Sequence, residues 1–569
     1  MAFSIHQRED LLRKLAATPF DLLVVGGGIT GAGIARDAAL RGLRVALVER
    51  GDFAVGTSSR STKLIHGGLR YLEMGDVGLV FEAVRERQRL LRIAPHLARP
   101  QSFVLPVNES SKHGVFLLDV GLTLYDALAS FAGVMRHRAL RKKPLMRMEP
   151  LLHGKGLQGG ARYFDATTDD ARLVLANVRG AHEAGAVPLS RVEVVAPIVQ
   201  DGRCVGARVR DLRGSATFDV RALCIVAAVG PWSDEWMALW RSALPDTTDA
   251  PAAAPPLTPS KGVHVVVPRS RLPLNHAVTM TSHLDGRVVF ALPWSHATVL
   301  GTTDTTYDGA LDEPVCTWAD AEYLVQTANG CLHAVGGPLQ VADVVSTWAG
   351  IRPLVAQAGA SSYKTSREHV ITVDPRGLVA VAGGKLTTYR VMAQQAVDAA
   401  LPLLPGATAH AVTPCATAEL PLPGADRLPT PNRSIEVLTA ALQANHGLDA
   451  ASAEHFARRY GSDAESVLAA CADEPEGGDC VLPDLPYRWG ELAWLVREEM
   501  ALDLVDLTVR RTQLYYVAGD RLLAVAQDLG RRMARWCGDP PEAARILAAG
   551  LVAYVVAHRV QSPPEPHAA

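Results

Sequence analysis

The chain has 569 residues, of which 48% are hydrophobic and 20% charged, and its formal net charge is −2. That length buries large cores in two or three domains, and the composition is ordinary for a soluble α/β protein. So small a net charge supplies no global field for nucleic acid, and electrostatic recognition has to be local. Residues 1–15 read as a short amphipathic helix without a signal-peptide apolar core, so the chain is expected on the cytoplasmic side. The apolar run 21–25 then enters a glycine cluster, and a helical pattern leaves it. Gly26, Gly28 and Gly31 stand in G-x-G-x-x-G register. Gly26 permits the tight turn, Gly28 lets a pyrophosphate approach the backbone, and Gly31 lets helix and strand pack closely. The free amides at the helix start, from Ile29 on, face the phosphates. A second apolar run, 45–48, ends in Glu49 and Arg50, with the acid where a ribose hydroxyl is held. Strand, turn, helix, strand and acid in this order predict dinucleotide binding.

A polar loop follows, containing Thr57, Ser58, Ser59, Arg60, Ser61 and Lys63, and suits phosphate or ribityl contacts. The alternative is a solvated loop with helix-capping residues. Leu64, His66, Gly67, Arg70 and Tyr71 come next, around a glycine pair that permits close ligand approach. Residues 76–93 read as a basic surface helix. The stretch 115–143 is apolar and runs into Arg136, Arg138, Arg141, Lys142 and Lys143. It suits an anionic membrane surface, or else a buried helix with a basic flank. Asp119 and Asp126 break its apolar run, so it does not span a bilayer.

A helix is expected over 173–183, and a hairpin over 192–199 and 203–209 around Asp201 and Gly202. A buried strand, 223–230, follows. Residues 246–260 are a surface excursion. Short alternating strands from 262 to 303 predict an antiparallel sheet, closed by Thr302, Thr303 and Asp304, and 317–345 reads as helical. The run 378–382 enters Gly383 and Gly384, then a helix to about 404, making a second strand–glycine–helix junction. Residues 405–433 read as a linker. Helical periodicity covers 434–559, with segments at 435–444, 453–460, 464–470, 491–499, 502–511 and 520–536, and the tail 563–569 is expected to be disordered. Eight cysteines without a C-x-x-C pair argue against zinc or dithiol chemistry, and no metal site is expected.

The segments TSSRSTKLIHGGLRYLE (57–73), VAAVGPW (226–232), KGVHVVVP (261–268), GTTDT (301–305), GIRPL (350–354) and GGKLTTYR (383–390) closely resemble those of FAD-dependent glycerol-3-phosphate dehydrogenases. These belong to the flavoenzymes with a D-amino-acid-oxidase-like fold, and the resemblance runs in order along nearly the whole chain. It implies a Rossmann-like α/β FAD-binding domain (20–95, 150–260 and 346–408). It also implies an antiparallel substrate and membrane-facing domain (96–149 and 261–345), a linker (409–433) and an all-α C-terminal domain (434–560). The C-terminal part is expected to make oligomer contacts, giving a homodimer, or to act as a structural cap.

The resemblance selects FAD over NAD. It implies oxidation of sn-glycerol 3-phosphate to dihydroxyacetone phosphate, with hydride passing from C2 to flavin N5 and electrons to membrane quinone. The enzyme is then peripheral, on the cytoplasmic face of the inner membrane, and 115–143 touches the anionic lipid. Oxygen as acceptor is the alternative, as are an amine-oxidising relative and a non-catalytic FAD scaffold. The implied cofactor residues are Gly26, Gly28, Ile29, Gly31, Glu49, Arg50, Thr57, Ser58, Ser59, Ser61, Lys63, Leu64, His66, Gly67, Val194, Ala228, Gly230, Trp232, Gly384, Lys385, Leu386 and Thr387. Arginine forks suit the phosphate, and Arg352 and Arg367 lead, with Arg70, Tyr71 and Lys385 nearby. His66 and His264 are both candidate bases. Lys385 is a candidate to stabilise developing negative charge, and Thr303 and Asp304 to orient the glycerol hydroxyls.

Overall fold

Every residue of the strand Phe20–Val25 is buried. Such a continuous apolar run belongs at the centre of a parallel sheet with both faces covered. In the computed structural model it pairs in parallel with Thr217–Ala227 on one side and Val45–Glu49 on the other. The structure describes residues 3–68, 76–109, 111, 113–128, 136–244, 256–294, 296–356, 368–428 and 434–561. The sheet runs Leu378–Gly383, Thr217–Ala227, Phe20–Val25, Val45–Glu49, Val187–Ser190, all parallel, with His369–Asp374 antiparallel at one edge. The expected hairpin is present as Val192–Gln200 and Arg203–Asp211, turning through Asp201 and Gly202, both with positive φ. It joins the sheet through Thr217–Ala227. Helices Ile29–Leu40, Asp170–Glu183 and Tyr389–Ala400 pack together on one face.

The second sheet runs Thr305–Thr306, Leu257–Pro268, Ala297–Gly301, Val288–Trp294, Ala277–Thr281, Ala98–Asn108, Leu157–Thr168, Leu64–Ile65. Ser346–Val355 pairs antiparallel with Leu257–Pro268, and Arg138–Arg141 with Leu157–Thr168. The ladders are antiparallel except between Ala277–Thr281 and Ala98–Asn108. Strands 157–168 and 346–355 thus lie in this sheet, although the sequence groups them with the cofactor domain. Alternating or apolar runs say that a segment is a strand, not which sheet it joins. The helix expected over 317–345 is Trp318–Cys331. Gly336, Gly337 and Pro338 follow, and the two glycines have positive φ.

The C-terminal part carries helices Ile435–His446, Ala450–Tyr460, Ala464–Asp473, Trp489–Glu499, Leu514–Ala518, Leu522–Cys537 and Ala543–Ala557. The segment expected as an ordinary helix over 502–511 is wound as a π-helix at Asp506–Arg511. Ala543–Ala557 lies beyond the segments expected. The eight cysteines are free thiols. Among the described residues no helix is long and apolar enough to cross a membrane, and no cluster suits a metal ion.

Candidate active site

Gly383, Ala228, Gly26, Glu49 and Arg191 stand at the carboxyl ends of five neighbouring parallel strands, in that order. Strands about 4.8 Å apart put roughly 19 Å between the first and the last. All five border one cleft of about 710 Å³. The carboxyl edge of an open α/β sheet is where ligands bind.

The glycine turn is forced by packing. Gly26 has φ +105°, and a Cβ there would stand 2.5 Å from the Ala228 carbonyl oxygen. A Cβ at Gly31 would stand 1.9 Å from the Gly26 carbonyl oxygen. The helix Ile29–Leu40 therefore starts directly over the strand end. Gly28 has no side chain to cap it, and the Ser58 hydroxyl accepts from Ile29 N–H at 2.9 Å instead. The Glu49 carboxylate accepts from Gly27 N–H and Gly51 N–H, each at 2.7 Å. Burial raises the Glu49 pKa, and those two amides oppose the rise.

The other end is built by strands Leu257–Pro268 and Ser346–Val355. Arg352 donates to the Thr302 hydroxyl and the Thr303 carbonyl at 3.0 Å, and to Ser260 Oγ at 3.3 Å. Its guanidinium stands 3.4 Å from Asp304 Oδ1. A Cβ at Gly262 would lie 2.4 Å from Arg352 Nη2, so only glycine lets the guanidinium cross that strand. His264 is 2% exposed, and its Nε2 lies 3.0 Å from Thr62 Oγ1. Burial, with the charges of Arg352 and Lys63, holds its pKa well below the usual histidine value. His66 borders the cleft and is pinned through its backbone. Its N–H donates to Thr387 Oγ1 at 3.2 Å, and its carbonyl lies 3.3 Å from the same hydroxyl. The turn Leu386–Thr388 follows Lys385 and leads into Tyr389–Ala400.

The cleft gathers most of the expected residues: Gly26, Gly28, Ile29, Glu49, Arg50, Thr57, Ser58, Ser61, Leu64, His66, Val194, Ala228, Gly230, Trp232, His264, Arg352, Gly384, Lys385, Leu386 and Thr387. Gly31, Ser59, Lys63, Gly67, Thr303 and Asp304 do not border it. The Lys63 ammonium is buried against Asp170 Oδ1 at 2.5 Å and donates to the Ser59 carbonyl at 3.1 Å. Thr303 and Asp304 stand behind Arg352 as its partners. Gly67 donates to Tyr125 Oη at 3.0 Å. Arg70, Tyr71 and Arg367 lie outside the described residues. Residues given no site role from the sequence include Ser260, Gly262 and Thr302 around Arg352, and Arg191, Leu212, Trp236 and Leu239 at the far end. Gly262 sits inside the quoted KGVHVVVP segment, so its spacing to His264 was the available signal.

Residues 21–399 match the family model described as FAD dependent oxidoreductase, and 415–542 match the C-terminal domain of alpha-glycerophosphate oxidase. The chain is 38% identical to a glycerol-3-phosphate dehydrogenase of Mycobacterium leprae, over 93% of this chain and 86% of that one. It is 37% identical to an aerobic glycerol-3-phosphate dehydrogenase of Staphylococcus saprophyticus, over 92% of each. The chain belongs to the FAD-dependent glycerol-3-phosphate dehydrogenase family. Its fold is similar to the glycerol-3-phosphate dehydrogenase of Bacillus halodurans solved with FAD, with TM-score 0.78, 32% identity, and coverage of 99% of this chain and 100% of that one.

FAD is the cofactor of this family, and the residues present fit it. The cleft has dinucleotide size. At Gly230, φ is +57° and no atom lies within 4 Å of where a Cβ would stand. Two strand–glycine–helix junctions aim backbone amides at it.

Proposed function

We propose that the chain oxidises sn-glycerol 3-phosphate at C2 to dihydroxyacetone phosphate and passes the electrons to a membrane quinone. The observation that carries this reading is Arg352, a guanidinium fixed by four oxygens at the edge of the cleft that Lys385 also borders. A pre-organised fork beside a second cation suits a phosphate dianion. The names of the relatives agree in substrate.

Gly26, Gly28 and Ile29 would hold the pyrophosphate, Glu49 the ribose and Val194 the adenine, and Gly384 to Thr387 would hold the isoalloxazine. When bound, FAD supplies the acceptor for the hydride leaving C2. Arg352 holds the phosphate, and Lys385 stabilises negative charge developing at the reacting oxygen. His66 takes the hydroxyl proton. His264 is the poorer base, because its ring is bonded to Thr62 and its basicity is lowered by burial and by the charges of Arg352 and Lys63. It acts by keeping Thr62 and the wall around it in place.

Helix Val115–Leu128 supports peripheral contact with an anionic bilayer on its cytoplasmic face. Phe116 is 82% exposed, and Leu117, Val120 and Leu124 are exposed beside it. His137, from the basic segment that follows, is tied to this helix by Asp126 at 2.7 Å and Asp119 at 3.1 Å. Apolar surface beside Arg136, Arg138, Arg141, Lys142 and Lys143 is the combination that binds such a surface.

The acceptor is tested by assaying glycerol 3-phosphate oxidation under nitrogen with a soluble quinone analogue. Turnover supports the quinone reading. Turnover only with oxygen, accompanied by peroxide, assigns the chain as an oxidase.

A further inference from the structure

We propose that the helical C-terminal domain is part of the cofactor cradle, with Arg510 and Arg511 acting through Asp52 as positioning residues for the loop that follows Glu49. The inference rests on the placement of FAD in the cleft argued above.

Asp52 is fully buried, three residues after Glu49. Its carboxylate accepts from Arg511 Nη1 and Nη2 at 2.6 and 2.9 Å, and from Arg510 Nε at 2.6 Å. Burial alone would raise its pKa, but Arg511 and Arg510 outweigh that and hold it below the usual carboxylate range. Arg511 is itself fully buried, and it also donates to the Glu499 and Met500 carbonyls at 3.1 and 3.3 Å. Neighbouring residues on an α-helix diverge by about 100°. The wider winding of Asp506–Arg511 narrows that divergence, so two consecutive arginines reach one carboxylate.

The loop passes this constraint on to the glycine turn. Ala54 N–H donates to the Gly27 carbonyl at 3.0 Å, and Gly27 and Gly51 both donate to Glu49. Asp52 lies between those anchors, so displacing it displaces the carboxylate and the turn together. A second tie enters the cleft beside it. Arg191 borders the cleft, donates its backbone N–H to the Gly51 carbonyl at 2.9 Å, and is held by Asp503 and Asp506 of the same C-terminal segment. A carboxylate buried in hydrocarbon without its cations is strongly unfavourable. The cofactor loop therefore takes this shape only with the C-terminal domain in place.

The test is the rate of FAD loss from the holoenzyme at 25 °C, read as the fluorescence of released flavin. Arg511→Met is compared with Arg172→Met, which cuts a different buried tie between the same parts of the chain, to Glu499. Arg511→Met is expected to release FAD at least tenfold faster than the unmutated protein. Arg172→Met is expected to melt lower yet release FAD at the unmutated rate. If both variants release it equally fast, or neither does, the proposal is overturned. Should Arg511→Met not fold, Arg511→Lys carries the test, because it keeps the charge and loses the fork. Intermediate release supports the proposal, and release at the unmutated rate overturns it. Failure of the unmutated protein to hold FAD would instead defeat the placement of FAD in the cleft.

Discussion

His264 lies flat against Trp348, with ring centroids 4.8 Å apart and planes inclined by 14°. Tyr516, from the C-terminal domain, meets Trp348 at 4.9 Å and 62°. The Trp348 indole N–H donates to the Ser61 carbonyl at 3.1 Å, so one ring fixes the histidine and the cofactor loop together. Replacing Trp348 by Leu opens a void and frees the imidazole. The expected result is a loss of about 2–3 kcal/mol in stability, with kcat falling more than KM rises. Thermal unfolding and steady-state kinetics check this, and an unchanged kcat would separate the ring from the chemistry.

Arg352→Ala removes the fork and leaves Asp304, which is largely buried, without that cation. Truncating such a partner costs about 2–5 kcal/mol, so kcat/KM for glycerol 3-phosphate should fall on the order of 100-fold, mostly through KM. Glycerol, which lacks the phosphate, should be used no worse than before. Unchanged kcat/KM for the phosphate ester would remove Arg352 from phosphate binding.

His96 is buried, and burial together with the Arg172 charge pushes its pKa down to about 3. The unfolded chain binds this proton near pH 6.5 and the folded chain does not. Stability from this group is complete above pH 6.5 and is lost as pH falls below it, at about 1.4 kcal/mol per pH unit. Buried acids with raised pKa, such as Asp506, pushed up to about 7 by burial, act in the opposite direction. The check is therefore a difference. Between pH 6 and 4, His96→Gln should reduce the slope of stability against pH by one proton relative to the unmutated chain. Equal slopes would mean that His96 is protonated in the folded state.

Phe116→Asp places a charge at the most exposed apolar position of Val115–Leu128. Sedimentation with vesicles containing anionic lipid should fall at least fivefold, while binding of FAD is retained. Undiminished sedimentation would place the membrane contact elsewhere.

What the sequence made legible was local. Gly26, Gly28, Gly31 and Glu49 announce their strand, turn and helix because the spacing itself is the geometry. The second junction at Gly383 and Gly384 reads the same way. Contacts closed by the fold were not legible in that manner. Asp52 and Arg511 lie 459 positions apart, and no periodicity joins them. Lys63 sits among loop residues that suit phosphate, yet its ammonium turns inward to Asp170. Thr303 and Asp304 stand in a motif near the site, yet they serve Arg352. Strands 157–168 and 346–355 were not expected as strands, and their sheet was decided by pairing with 98–108 and 257–268, which no local pattern announces.

The proposed reaction requires this cleft to hold FAD and to deliver to it the electrons of glycerol 3-phosphate. The direct measurement is the visible absorbance of the oxidised flavoprotein under nitrogen, with glycerol 3-phosphate as the only reductant. The flavin band is expected to be lost, with formation of one equivalent of dihydroxyacetone phosphate. A flavin band that persists at saturating substrate would contradict it.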